Sequence, residues 1–271
     1  MIIKKILNFK FLILRLLDAQ NGKFIMAKTL ILIPSRMSAN RLPGKPLLKI
    51  NNLSMISHVF KKAEEAKIGE VVVATEDKEI LDDVEKNGGR AILTGSTHKT
   101  GTDRIFEAYE KLNIKDIDFI LNLQGDEPNI DKNDIINLNN FMINSSSEIG
   151  TLAAEIKSGK MLNDQNVVKV ITESKLEKNN FPKALNFTRD SFSKNNQNIY
   201  HHIGIYSYKT SILKKFVSLD QTSSEKQNRL EQLRALDNNL KISVALANFS
   251  PIGVDTKEDY LAIKKIMEYK S

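Results

Sequence analysis

The sequence predicts an α/β fold: a mostly parallel sheet with helices on both faces and an inserted antiparallel region. Three observations predict it. Short aliphatic runs alternate with helix-length segments through the first half of the chain. Residues 29–33 (TLILI) are a near-continuous aliphatic run, as a parallel strand buried on both faces requires. The connections after such runs carry the Pro, Gly and charged residues, and ligands on open α/β sheets bind beyond the carboxyl ends of the strands.

The elements follow in order. The strand at 29–33 is succeeded by a long loop at 34–46 and a helix at 55–66. A second strand spans 70–74 (EVVVA) and a second helix 78–86, closed by Asn87-Gly88-Gly89 in the manner of a left-handed cap. Residues 90–93 form a third strand, 101–112 a helix and 118–123 (DFILNL) a fourth strand. The pattern then changes. Strands at 151–155, 167–172, 186–188 and 203–208, joined by Asn/Lys/Ser-rich connections, read as antiparallel structure inserted into the same domain. Helices at 211–217 and 225–238, a strand at 242–245 and a helix at 257–269 complete the chain. The organisation expected is one domain over 26–271, preceded by an extension at 1–25.

Composition narrows the function. The chain has no cysteine, which removes disulfides, thiolate metal sites and thiol nucleophiles and fits a reducing compartment such as the cytoplasm. More than half of the net charge of +7 lies in residues 1–25, where five Lys or Arg side chains oppose only Asp18. The remainder is too weakly basic for a nucleic-acid footprint. Residues 1–25 are apolar and basic, but Lys10 and Arg15 interrupt any signal-like run and no spanning helix fits. They read either as an amphipathic helix on a membrane surface, the only membrane contact expected, or as sequence ahead of a start at Met26; the second is the simpler.

Three segments carry candidate chemistry. The loop PSRMSANRLPGKPL (34–47) places Arg36, Arg41 and Lys45 at the end of a buried strand. It is no Walker A loop, because Ala39 stands where the first Gly belongs and Pro46 replaces the Ser or Thr. Cations on such a loop complement a triphosphate, though a solvated basic loop has the same composition. In NLQGDEP (122–128), Asp126 follows the fourth strand, placed either to hold Mg2+ or to make a turn. In GVDT (253–256), Asp255 precedes the last helix, a position an N-cap also explains.

Together with HKTGTDR (98–104), HIGIY (202–206) and LEQLR (230–234), these segments resemble, in the same order, motifs of the 3-deoxy-manno-octulosonate cytidylyltransferases. The resemblance runs from Lys28 to about the C-terminus, and its most specific part is R-x-S-x-x-R-L-P-G-K-P-L, from Arg36 to Leu47. It departs at Met37, where the family usually has an aromatic residue, and at 190–198, which lack the proline-tryptophan pair often seen there.

The resemblance implies a nucleotide-diphospho-sugar transferase fold. It also implies transfer of CMP from CTP to the anomeric hydroxyl of the sugar acid, with release of pyrophosphate, for lipopolysaccharide biosynthesis. Lys45, Arg36 and Asp126 are then catalytic, and Mg2+ is held by Asp126 and Asp255. Arg36, Arg41 and Lys45 bind the nucleotide, with Gly101, Thr102 and Asp103 contributing at a helix start. Gln124, Arg189, His202, Tyr206, Glu231 and Gln232 bind the sugar. A homodimer is expected on the same ground. The rivals are a same-fold nucleotidyltransferase for an 8-amino or other sugar acid, and a non-catalytic nucleotide-binding or membrane-surface regulator.

Overall fold

The computed structural model describes residues 27–38, 41–192 and 198–269. The readings of 1–25 therefore lie outside the described residues, as does most of the atypical segment at 190–198.

One nine-stranded sheet runs through these residues. Its first strand, β1 (Thr29–Ser35), pairs in parallel with β4 (Gly69–Thr75) and β6 (Phe119–Asn122). The side chains of β1 alternate between two cores, Ile31 and Ile33 to one face and Leu30 and Leu32 to the other. This is why the run contains no polar alternation. The first core is closed by α1 (Met55–Glu65), α2 (Lys78–Lys86) and α4 (Lys132–Ile143). The second is closed by α3 (Gly101–Leu112), α6 (Thr210–Val217) and α8 (Gln232–Asp237). Helices thus cover both faces. β5 (Ala91–Leu93) ends the sheet beyond β4, and a two-stranded β2–β3 hairpin (Lys49–Ile50, Leu53–Ser54) stands apart from it.

The antiparallel region is spliced into the sheet itself. β7 (Ile149–Ala154) is buried at all six positions, so it needs a strand on each side. It has them in β10 (Ile199–Lys209), antiparallel, and β11 (Ile242–Leu246), parallel. β10 also pairs antiparallel with β6, and there Tyr206 sits opposite Asn122, the last residue of β6. The first half of β10 therefore projects past the carboxyl end of β6, over the expected ligand side. β8 (Lys169–Thr172) and β9 (Ala184–Thr188) extend from that half.

Two expectations need correction. The helix read at 225–238 is two helices, α7 (Ser223–Asn228) and α8, because Arg229 takes a left-handed conformation at φ 54 and caps the first. The sequence reading also leaves out α4, whose stretch KNDIINLNNFMI is Asn-rich and propensity-poor. Packing of Ile135, Leu138 and Met142 against the first core holds it in place. The short α5 (Gly159–Asn163) and the C-terminal α9 (Lys257–Glu268) complete the described α-helices; no described helix is long and apolar enough to cross a membrane.

Candidate active site

A cleft of about 340 Å3 opens at the carboxyl ends of β1 and β6. Its floor is a close approach of backbones: a Cβ on Gly125 would lie 2.9 Å from the Pro34 carbonyl oxygen, so only glycine lets the two loops meet. Gly44, at φ 72, turns the chain so that the single 3-10 turn Lys45–Leu47 starts with Lys45 facing inward.

All three protons of the Lys45 ammonium are engaged. It donates to Asp126 Oδ2 at 2.7 Å, the Val254 carbonyl at 2.7 Å and Asp255 Oδ1 at 3.2 Å. Arg41 pairs with the other oxygen of Asp255 at 2.7 Å. Two carboxylates and a main-chain carbonyl from two segments distant in sequence, at 126 and 254–255, therefore converge on one cation. Asp255 is not the helix cap: Thr256 takes that role, accepting from Asp259 N, which leaves the Asp255 carboxylate free for the cleft. Arg36 is exposed on the cleft wall. Gly101 lines the cleft at the start of α3, where Thr100 caps the helix by accepting from Asp103 N. Beside Asp126, burial together with the Asp126 charge pushes the Glu127 carboxyl up to about 8.

The residues expected to hold the sugar separate into three places. Gln124 lines the cleft and donates to the Gly204 carbonyl at 2.9 Å, tying it to the overhanging half of β10. His202, Tyr206 and Glu231 lie together behind it. The His202 and Tyr206 rings are 5.4 Å apart, and Tyr206 and Glu231 interact electrostatically. Gln232 begins α8 next to Glu231. Arg189 stands apart from the cleft lining and donates to the carbonyls of Gln165 and Asn166, at 3.1 and 3.2 Å.

His202 is buried, and burial lowers it to about 3. It is neutral at physiological pH. Its tautomer follows from Thr151, whose one hydroxyl proton goes to a carbonyl, with Ile205 O at 2.7 Å, so its oxygen accepts from His202 Nε2 at 3.1 Å. Nδ1 is left as an acceptor. Glu231 is turned inward: Thr102 Oγ1 donates to its Oε2 at 2.6 Å. Its Oε1 and the Tyr206 hydroxyl are buried without hydrogen-bond partners. Burial pushes both groups up.

Three supports of the site were not singled out from sequence. Asp77 accepts from the Met37 amide at 2.7 Å and so anchors the cationic loop through its main chain. Arg104 is buried at the cleft wall and pairs with Glu76 at 2.5 Å. His98 also lines the cleft and bonds to Glu107. Burial alone would raise the Glu107 carboxyl, but hydrogen bonds from Lys111, His98 and Gly95 hold it down to about 2. His98 and Arg104 belong to the HKTGTDR motif and were legible there. Glu76 and Glu107 carry no local signal.

Comparison with known proteins identifies the family. A cytidylyltransferase family model matches residues 30–242. The 3-deoxy-manno-octulosonate cytidylyltransferase of Afipia carboxidovorans is 43% identical over 240 residues, 88% of this chain and 96% of that protein. Its counterpart from Thermodesulfovibrio yellowstonii is also 43% identical, over 88% of this chain and 98% of that protein. A solved CMP:2-keto-3-deoxy-manno-octonic acid synthetase in complex with CTP superposes with a TM-score of 0.82 at 32% identity, covering 90% of this chain and all of that one. A 4-diphosphocytidyl-2C-methyl-D-erythritol synthase from Anaerococcus prevotii shares the fold, with a TM-score of 0.62 at 13% identity over 89% of this chain and 99% of that one. The chain belongs to the 3-deoxy-manno-octulosonate cytidylyltransferase family, with the nucleotide-diphospho-sugar transferase fold.

Proposed function

We infer that the protein transfers CMP from CTP to the anomeric hydroxyl of 3-deoxy-manno-octulosonate and releases pyrophosphate, supplying lipopolysaccharide biosynthesis. The observation that carries the reading is the meeting of Lys45, Arg41, Asp126 and Asp255 in one cleft at the strand ends. Membership of the family supports the choice of CTP and sugar acid.

The hydroxyl oxygen attacks the α-phosphorus, forming the new P–O bond as the bond to the β-phosphate oxygen breaks in line with it. Its proton passes to solvent; no side-chain base is required. Arg36 and Arg41 neutralise the β- and γ-phosphates, and the amide groups of Gly101 and Thr102 at the start of α3 face the nucleotide, the Asp103 amide being taken by the Thr100 cap. Lys45 stabilises charge on the α-phosphate by exchanging its longest contact, to Asp255, for a phosphate oxygen. Gln124, His202, Tyr206, Glu231 and Gln232 orient the acceptor, and Arg189 meets its carboxylate from the end of β9. His202, being neutral, recognises a hydroxyl and not the carboxylate.

The donor set also fits Mg2+. Asp126 and Asp255, with the Val254 carbonyl beside them, offer only hard oxygen ligands around a point where a cation already sits. Among the described residues no group of three His, Asp or Glu side chains is placed to hold a metal, which suits an ion that completes its shell with substrate phosphates. Asp126 and Asp255 would hold it. Bound there, the ion would lower the hydroxyl pKa and offset charge on the leaving pyrophosphate. The reading extends to a cytoplasmic homodimer, checked by light scattering and cell fractionation.

The test is pyrophosphate release from CTP and Mg2+, with and without the sugar acid. Release that requires 3-deoxy-manno-octulosonate and prefers CTP to UTP upholds the reading. Release only with an 8-amino or sialic analogue would keep the chemistry and replace the acceptor. A folded, CTP-binding protein silent with every sugar acid would leave a nucleotide-binding regulator.

A further inference from the structure

We propose that Thr102 is a positioning residue for the acceptor: its side-chain hydroxyl fixes the Glu231 carboxylate so that the second oxygen faces an alcohol of the sugar. The inference rests on the cytidylyltransferase reading and gives the Thr102 side chain a task separate from its backbone.

The geometry is specific. Thr102 is the second residue of α3, and its neighbours Thr100 and Gly101 line the nucleotide cleft. The Thr102 side chain is buried and turns away from that cleft to donate to Glu231 Oε2 at 2.6 Å, across 129 residues of sequence. It does not cap the helix, since Thr100 does so. Glu231 has two other supports, a hydrogen bond from the Thr100 side chain and the Arg234 guanidinium. Arg234 lies 3.6 Å from Oε1, but that guanidinium is committed to Glu225, with bonds of 2.8 and 2.6 Å, and stacks on Phe216.

Two buried polar atoms then remain unmatched in one place, Glu231 Oε1 and the Tyr206 hydroxyl. One needs a donor, and the other can both donate and accept. A single alcohol that donates to Glu231 and accepts from Tyr206 satisfies both, and a polyhydroxylated acid carries several. Unmatched buried groups are costly, so a pair of this kind favours a ligand with hydroxyls over an apolar one. Burial pushes the Glu231 carboxyl up, and the hydrogen bonds from Thr102 and Thr100 draw it back toward ionisation. Losing the Thr102 bond would weaken Glu231 as an acceptor as well as freeing its rotamer. Because Thr102 also opens the nucleotide-side helix, it joins the CTP half of the site to the sugar half through one residue.

The experiment compares Thr102→Val, nearly isosteric but without the hydroxyl, with Thr102→Ser, which keeps it. T102V is expected to raise the KM for the sugar acid roughly 10- to 100-fold while the KM for CTP stays within about twofold. T102S is expected to restore the sugar KM. T102V should add less loss on a Glu231→Ala background than on wild type, any remainder coming from the buried Tyr208, to which the Thr102 side chain also hydrogen-bonds. The proposal is overturned if T102V leaves the sugar KM unchanged, if T102S is as impaired as T102V, or if both KM values rise together. Should T102V not fold, Thr102→Ala carries the same comparison with T102S. Calorimetric binding of the sugar acid to wild type and variant reads the contrast without turnover. A wild type that binds the sugar but releases no pyrophosphate defeats the functional reading while leaving the Thr102 comparison intact.

Discussion

The two halves of the site handle polarity in opposite ways. On the nucleotide side the charges satisfy one another: Lys45 has three acceptors, and Arg41 and Asp255 close the set. On the acceptor side, behind Gln124, the groups are buried and incompletely matched, with the Tyr206 hydroxyl and one Glu231 oxygen making no hydrogen bond. The difference follows from what each half recognises. A triphosphate brings enough charge to exchange with existing ion pairs in a half-open, solvated cleft. A sugar brings neutral hydroxyls, whose hydrogen bonds gain selectivity where water is kept out and mismatches are penalised.

If this contrast is right, damage to the nucleotide half should act on turnover and damage to the acceptor half on sugar affinity. The largest loss is expected for Asp126→Asn, more than about a thousandfold in kcat/KM, matched by removal of Mg2+ with EDTA. Steady-state kinetics with a Mg2+ titration would show it; a variant that stays active would break the assignment. Lys45→Met should cost about 100- to 1,000-fold in kcat with little change in sugar affinity. Losing sugar affinity instead would mean the halves are not separable.

Tyr206→Phe is smaller and of the other kind. It should raise the sugar KM by about tenfold with kcat and the KM for CTP nearly unchanged. Because its hydroxyl makes no well-formed hydrogen bond within the protein and only Thr151 stands near it, the variant should lose little stability, as a urea melt would record. The smallest effect concerns His202. Its folded value is lowered from 6.5 to about 3, so below pH 6.5 the unfolded chain binds a proton that the folded chain refuses. Stability therefore falls as pH drops from 6.5 toward 3, by at most about 1.4 kcal/mol per unit from this residue. Urea unfolding at pH 7.5 and 5.5 should show a smaller decline for His202→Asn than for wild type. An equal decline would mean that His202 is not buried neutral.

How much of this was readable depends on how far apart the cooperating residues lie. The helices at Lys78–Lys86 and Gly101–Leu112 were legible to the residue, because caps and apolar spacing are local. Lys45 and Asp126 were legible as candidates from motifs next to strand ends. The exclusion of Asp255 from capping was not, since Thr256 and Asp255 are both plausible caps on paper. The break at Arg229 was hidden as well, as nothing in EKQNRLEQLR obliges a non-glycine residue to turn left-handed. Yet that break aims Glu231 inward and removes it from a solvated helix face.

From its own residues the chain determined the strand-helix rhythm, the side of the sheet on which ligands bind and, through ordered motifs, its family. These follow from short-range rules: side-chain periodicity, capping and the composition of loops. Only the tertiary structure decided that β10 runs antiparallel between β6 and β7 and overhangs the cleft. It also decided that His202 is a neutral acceptor and that Thr102 reaches Glu231. Each of these depends on burial and on partners 50 or more residues away, and neither quantity is defined until the sheet is assembled.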